Sequence, residues 1–134
     1  MPTVKEQTVP VRTEQDVVGA RQIVRQWAEE LRFSLVDQTK LVTAASELAR
    51  NTVLYGGGGT MRLEILNEGV RNGLRLVFED KGPGIEDVDL ALKDGYTTGS
   101  GLGLGLGGAR RLVNEFEIQS KPGAGTRVAI TRWK

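Results

Sequence analysis

Glu47 and Asn51, one helical turn apart, are the first residues in this chain whose types and spacing could do chemistry. Positions i and i+4 of a helix share a face. Their neighbours Ala44, Ala45, Leu48 and Thr52 are apolar or small, which puts the pair at the edge of the core. A carboxylate and an amide oxygen there could take a proton and hold a hard cation. Magnesium prefers oxygen ligands and keeps several waters, so one amide oxygen plus substrate phosphates can suffice. The plainer alternative is a solvated glutamate with an asparagine near a helix end. A second candidate, Asp80-Lys81-Gly82-Pro83-Gly84-Ile85, directly follows a strand-like run. Gly82 and Gly84 let the backbone turn tightly and approach a flat ligand, and Asp80 could accept a hydrogen bond from an exocyclic amine. The same residues also read as an ordinary turn. The third is the glycine-rich run Gly99–Gly108, which leads into a helix. Free backbone N–H groups and a helix N-terminus together can cradle phosphates. Its alternatives are a lid or close helix packing. A dinucleotide-binding assignment fails on context, because no βαβ unit with its acidic residue follows.

The elements that must position these residues follow from periodicity and punctuation. A weakly alternating strand over Val4–Val11 stops at Pro10. Thr13 to Asp16 resembles a capping box, and Val17, Ala20, Val24, Trp27 and Leu31 then recur at helical spacing to about Phe33. Ser34 caps a second helix that runs to about Tyr55 and ends at Gly56–Gly59. Met61, Leu63 and Ile65 alternate with Arg62 and Glu64, which predicts a half-buried strand. Asn72-Gly73 signals a hairpin turn, with Leu74–Glu79 as the partner strand. A short helix is predicted over Asp87–Lys93, a loop over Gly95–Gly101 and a helix over Leu104–Glu115. Phe116–Ser120 and Thr126–Trp133 form a closing hairpin. Helices on one face of a mixed, mainly antiparallel sheet would bury every apolar stripe, an α+β two-layer sandwich. No repeat, linker or boundary divides residues 1–134, so the chain reads as a single domain.

Composition narrows the function classes. Glycine supplies 18 of 134 residues against a usual ~7%, and the excess is clustered at Gly56–Gly59 and Gly99–Gly108. Cysteine and histidine are absent, which excludes disulfides, thiolate metal sites, imidazole bases and a phosphohistidine within the chain. A net charge of +1 gives no bulk attraction to nucleic acid or membrane. No apolar run approaches the roughly 18 residues of a membrane span, and the N-terminus lacks a signal-peptide core. The expectation is a soluble cytoplasmic protein.

The combination of ExxxN, DxGxG and GxGxG in this order resembles the GHKL ATP-binding superfamily, which includes Hsp90, DNA gyrase B, MutL and histidine kinases. The likeness runs from the first helix onward and implies the Bergerat fold. Histidine kinases need a phosphoacceptor histidine, and the other members carry additional domains. At this length the chain is similar to the stand-alone serine kinases of bacterial partner switching, of the RsbT type. Glu47–Asn51, Asp80–Ile85, Asp94–Leu106, Asn114–Ser120 and Gly123–Thr126 carry that similarity. The resemblance implies that Glu47 is the general base and that Asn51 holds Mg²⁺ on ATP. It implies that Asp80 reads the adenine amine in a pocket shaped by Gly82 and Gly84. Thr97, Gly99, Gly101, Gly103 and Gly105 would lie along the phosphates, and Thr126 would support Asp80. One departure stands out: Tyr96–Leu106 contains no Arg or Lys to meet a γ-phosphate. Arg110 or Arg111 could serve only by pointing inward; a solvated helix face is the other reading. The implied partner is a STAS-domain antagonist, with a PP2C-type phosphatase activated on release. Two alternatives stay open: an anti-sigma factor that sequesters a sigma factor, and a nucleotide-gated binding module.

Overall fold

In the computed structural model, residues 3–85, 87, 88, 92 and 104–134 are described. Two helices precede most of the sheet. Helix α1 (Glu14–Glu30) begins where the Thr13 hydroxyl accepts the Asp16 N–H at 3.1 Å and the Asp16 carboxylate answers the Arg12 N–H at 2.9 Å. This reciprocal cap satisfies two otherwise orphaned donors. The helix closes earlier than its apolar period suggests, because Arg32 takes a left-handed φ of 63°. Phe33 N–H then bonds the Ala28 carbonyl and Arg32 N–H that of Glu29, the closure usually built on glycine. Helix α2 (Leu35–Leu54) starts at Ser34, whose hydroxyl accepts the Asp37 N–H at 3.1 Å.

Five strands form one sheet in the order β1-β2-β3-β5-β4, and every pairing is antiparallel. Strand β1 (Thr3–Val11) continues through Pro10, which lies opposite Thr60. An edge strand tolerates the missing N–H. Strands β2 (Gly59–Glu68) and β3 (Arg71–Asp80) form a hairpin, but its turn is not at Asn72-Gly73. Glu68 pairs with Arg71, so Gly69 and Val70 make the turn, with Gly69 at φ 62°. Gly73 is instead a slot for the Trp133 ring: a β-carbon there would lie 2.6 Å from the indole. Strands β4 (Glu115–Ser120) and β5 (Thr126–Trp133) close the sheet after helix α3 (Leu104–Arg111). That helix is shorter than the predicted Leu104–Glu115 because Asn114 already bonds β5. The helix expected at Asp87–Lys93 lies mostly outside the described residues; Leu92 N–H bonds the Val88 carbonyl at 3.1 Å.

The core lies between the helices and one sheet face. Val17, Val24, Trp27, Leu41 and Leu48 meet Met61, Leu63, Leu74, Leu76, Phe78 and Ile130 there. The opposite face is ionic. Glu64, read from the sequence as a solvent-side residue, is only 5% exposed. Arg75 binds its carboxylate at 2.6 Å and Arg62 lies 3.3 Å away. Burial alone would raise its pKa, but these two guanidinium groups hold it below the usual range.

Candidate active site

Asp80 ends β3, opposite Gly59 on β2 and Thr126 on β5. Its carboxylate accepts the Gly82 N–H at 2.9 Å. Burial pushes its pKa up, and backbone hydrogen bonds from Gly82 and Thr126 partly offset that rise. The carboxylate is therefore partly withdrawn from water at the mouth of a pocket, and a perturbed carboxylate in a cleft marks a candidate functional group.

Glycines make room for this side chain. A β-carbon on Gly56 would sit 2.5 Å from Asp80 Oδ2 and 2.7 Å from Asp80 Cβ. One on Gly82 would sit 2.7 Å from the Gly56 backbone, and one on Gly125 would strike the Asp80 carbonyl. Gly84 takes φ 77° and abuts the Lys121 carbonyl. Ser120 ties these turns together: its hydroxyl accepts the Ile85 N–H at 2.8 Å and contacts the Gly125 carbonyl and the Thr126 hydroxyl. Gly56, Gly125 and Ser120 were given no site role from the sequence, although the last two lie in segments that carry the family likeness. Gly56 read as a helix stop, and the other two lie far from Asp80 along the chain.

Asn51 reaches the same pocket from α2, together with Leu48, Thr52 and Tyr55. Phe78, Ile85, Leu106 and Val128 supply apolar walls, with Asp80, Gly84 and Thr126 at the polar end. The Asn51 Nδ2 is buried and has no hydrogen-bond partner among the described residues. Leaving a buried donor unmade costs about 1–3 kcal/mol, which makes this amide a candidate for a ligand contact. An amide offers either an oxygen to a cation or N–H groups to phosphate oxygens. Among the described residues no group of three or more acidic, His or Cys side chains could hold a metal. A cation here would have to arrive with its own anionic ligands, which fits Mg²⁺ on a polyphosphate.

Glu47 is placed differently. It lies on α2 but lines a groove toward α1 with Arg21, Arg25, Thr39, Thr43 and Ser46. Its side chain is 39% exposed and lies 3.7 Å from Arg50. The structure thus brings together Asn51, Asp80, Gly84 and Thr126, with Gly82 packed behind, and leaves Glu47 in a separate groove toward α1. Gly105 falls in the first turn of α3, while Thr97, Gly99, Gly101 and Gly103 lie outside the described residues. Arg110 and Arg111 are exposed on α3. No described helix is long and apolar enough to cross a membrane.

Comparison with known proteins agrees with this architecture. Residues 36–134 match the model of the family described as "Histidine kinase-, DNA gyrase B-, and HSP90-like ATPase". The chain is 45% identical over 125 residues to "Serine/threonine-protein kinase RsbT" of Bacillus subtilis (strain 168), covering 93% of this chain and 94% of that protein. It is 30% identical over 122 residues to the "Anti-sigma F factor" of Caldanaerobacter subterraneus subsp. tengcongensis, covering 85% and 82%. Among solved structures, the RsbU and RsbW domains of Rv1364c from Mycobacterium tuberculosis superpose with a TM-score of 0.66 at 21% identity. That match covers 96% of this chain and 32% of that one. The mycobacterial sensor histidine kinase MprB superposes with a TM-score of 0.56 at 17% identity, covering 96% and 97%. By sequence match and by fold, the chain belongs to the histidine kinase-, DNA gyrase B- and HSP90-like ATPase family.

Proposed function

We propose that this chain is an ATP-dependent protein serine/threonine kinase of a partner-switching pathway. One observation carries the proposal: a half-buried acceptor, Asp80, and a buried amide, Asn51, whose Nδ2 has no partner among the described residues, line one apolar pocket. A purine with an exocyclic amine fits the first, and a metal-bound polyphosphate fits the second. The 45% identity to a curated serine/threonine kinase over nearly the whole chain supports the same reading.

In this reading Asp80 accepts the adenine amine, Gly82 and Gly84 leave room for the ring, and the Thr126 backbone holds the Asp80 carboxylate. Thr97, Gly99, Gly101, Gly103 and Gly105 lie along the phosphates. Asn51 would hold Mg²⁺, which when bound supplies charge neutralisation for the triphosphate. Glu47, part-exposed on α2 one turn before Asn51, takes the acceptor hydroxyl's proton. The hydroxyl oxygen bonds to the γ-phosphorus, the bridging bond to the β-phosphate breaks, and ADP leaves. The acceptor is a serine or threonine of a STAS-domain antagonist, and the freed kinase activates a PP2C-type phosphatase. Incubation with such a STAS protein and γ-labelled ATP tests the proposal. Absence of label from every STAS partner, with ATP binding intact, would overturn it.

The 30% identity to an anti-sigma F factor favours one second reading, in which the chain sequesters a sigma factor. Co-purification of a sigma factor at unit stoichiometry, lost on nucleotide exchange, would select it.

A further inference from the structure

Helices α2 and α3 pack side by side, and their two ends are held differently. At one end Leu48, Asn51 and Thr52 of α2 face Leu106 of α3 across the pocket. At the other end a side chain of β5 bonds to both. Arg132 of β5 lies on the helix-covered sheet face with Val128 and Ile130, and its side chain is only 15% exposed. Its Nη2 donates to Asp37 Oδ1 at 2.7 Å, in the first turn of α2. Its Nη1 donates to the Leu112 carbonyl at 2.9 Å, just beyond the end of α3. Carbonyls at a helix C-terminus carry partial negative charge, so the guanidinium bridges two acceptors on two helices. Asn114 adds a second strap: its N–H bonds the Thr131 carbonyl at 2.9 Å, and its side-chain oxygen accepts the Trp133 N–H at 2.7 Å. The exit of α3 is thus fixed to β5.

We infer that Arg132 is a positioning residue for nucleotide binding: it fixes the pivot from which α3 holds Leu106 against the pocket. The inference rests on the reading that Mg–ATP occupies that pocket. The pivot has no contact with the nucleotide; it acts by keeping α3 in the binding-competent arrangement.

The test uses the full chain with Arg132→Met and Arg132→Lys. Calorimetric titration with Mg–ATP is run beside hydrogen exchange of backbone 106–112. Methionine removes both hydrogen bonds while filling similar space. If the competent arrangement then falls to about a tenth of the population, apparent affinity drops about tenfold. Exchange over 106–112 should quicken without nucleotide and return toward wild type at saturating Mg–ATP. Lysine keeps the charge but lacks the guanidinium fork, so its affinity should fall between. A merely structural role would lower the thermal midpoint and leave the affinity of the folded protein unchanged, and that result overturns the inference. If Arg132→Met does not fold, Arg132→Lys decides: wild-type affinity overturns the pivot, and weakened affinity with restorable protection supports it. Failure of the wild type to bind Mg–ATP would instead sink the underlying reading of the pocket.

Discussion

Replacing Gly56 with alanine should disable the purine site without adding or removing any polar group. The new β-carbon would lie 2.7 Å from Asp80 Cβ and 2.5 Å from Oδ2. Ordinary carbon–carbon contact begins at about 3.5 Å, so one side must give by roughly 1 Å. Rotating the carboxylate does not suffice, because Asp80 Cβ is also too close. The Gly56 backbone cannot easily retreat: it bonds the Asn51 carbonyl at 3.2 Å and is backed by Gly82. Asp80 therefore shifts, and a hydrogen bond displaced by about 1 Å is effectively lost. A bond to a charged acceptor is worth about 1.5–3 kcal/mol, or roughly 10–150-fold in affinity. Overpacking should also cost about 1–3 kcal/mol of stability. The assay is Mg–ATP titration beside thermal unfolding, with Gly19→Ala as control. A β-carbon on Gly19 meets nothing within 4 Å, and an exposed helix should gain about 0.5–1 kcal/mol from it. Because Gly56 acts through Asp80, adding Gly56→Ala to Asp80→Asn should cost little further affinity. Wild-type affinity in a folded Gly56→Ala protein would refute the reasoning.

Three further outcomes follow from the same geometry. Asn51→Ala removes an amide whose Nδ2 has no partner among the described residues, so it should weaken Mg–ATP binding while leaving the thermal midpoint unchanged or slightly higher; unchanged affinity by calorimetry would rule out Asn51 as the metal-holding group. Asp80→Asn should abolish discrimination between ATP and GTP, read by competition. It should also flatten a pH slope: burial raises the Asp80 pKa, so the folded state binds this proton more readily than the unfolded chain. Asp80 therefore lowers stability as pH rises from its ordinary value through the raised one, and the variant should lack that decline in thermal scans. Glu47→Ala should cut phosphotransfer about 10²–10⁴-fold with ATP affinity little changed, because Glu47 stands outside the pocket; undiminished transfer to a STAS-domain serine would eliminate it as base.

What the sequence made legible was local. The caps at Thr13 and Ser34 and the helices they start depend on neighbouring residues alone, and they stand where the spacing predicts. The β2–β3 turn was misassigned because two glycines compete for it. Gly73 looks like the turn in isolation, but register is set by cross-strand partners such as Leu63 with Leu76, and by the indole that fills its slot. Glu64 was misread for a similar reason: its burial depends on Arg75 from the next strand. At the site, Asp80 and Asn51 were legible as types in motifs. The supporting roles of Gly125 and Ser120 arise only when β4 and β5 bring them beside Asp80. The separation of Glu47 from the pocket follows from which flank of α2 meets α1, and an i, i+4 spacing does not encode that.

The central claim is phosphotransfer from ATP to a protein hydroxyl, and a single-turnover experiment reaches it most directly. The chain, saturated with γ-labelled Mg–ATP, is mixed with a STAS-domain antagonist, and label is followed onto protein while ADP is counted. The account predicts one phosphoserine or phosphothreonine on the STAS protein for each ADP formed. Stoichiometric ATP binding with ADP release but no labelled STAS residue, or with no ADP at all, would contradict it.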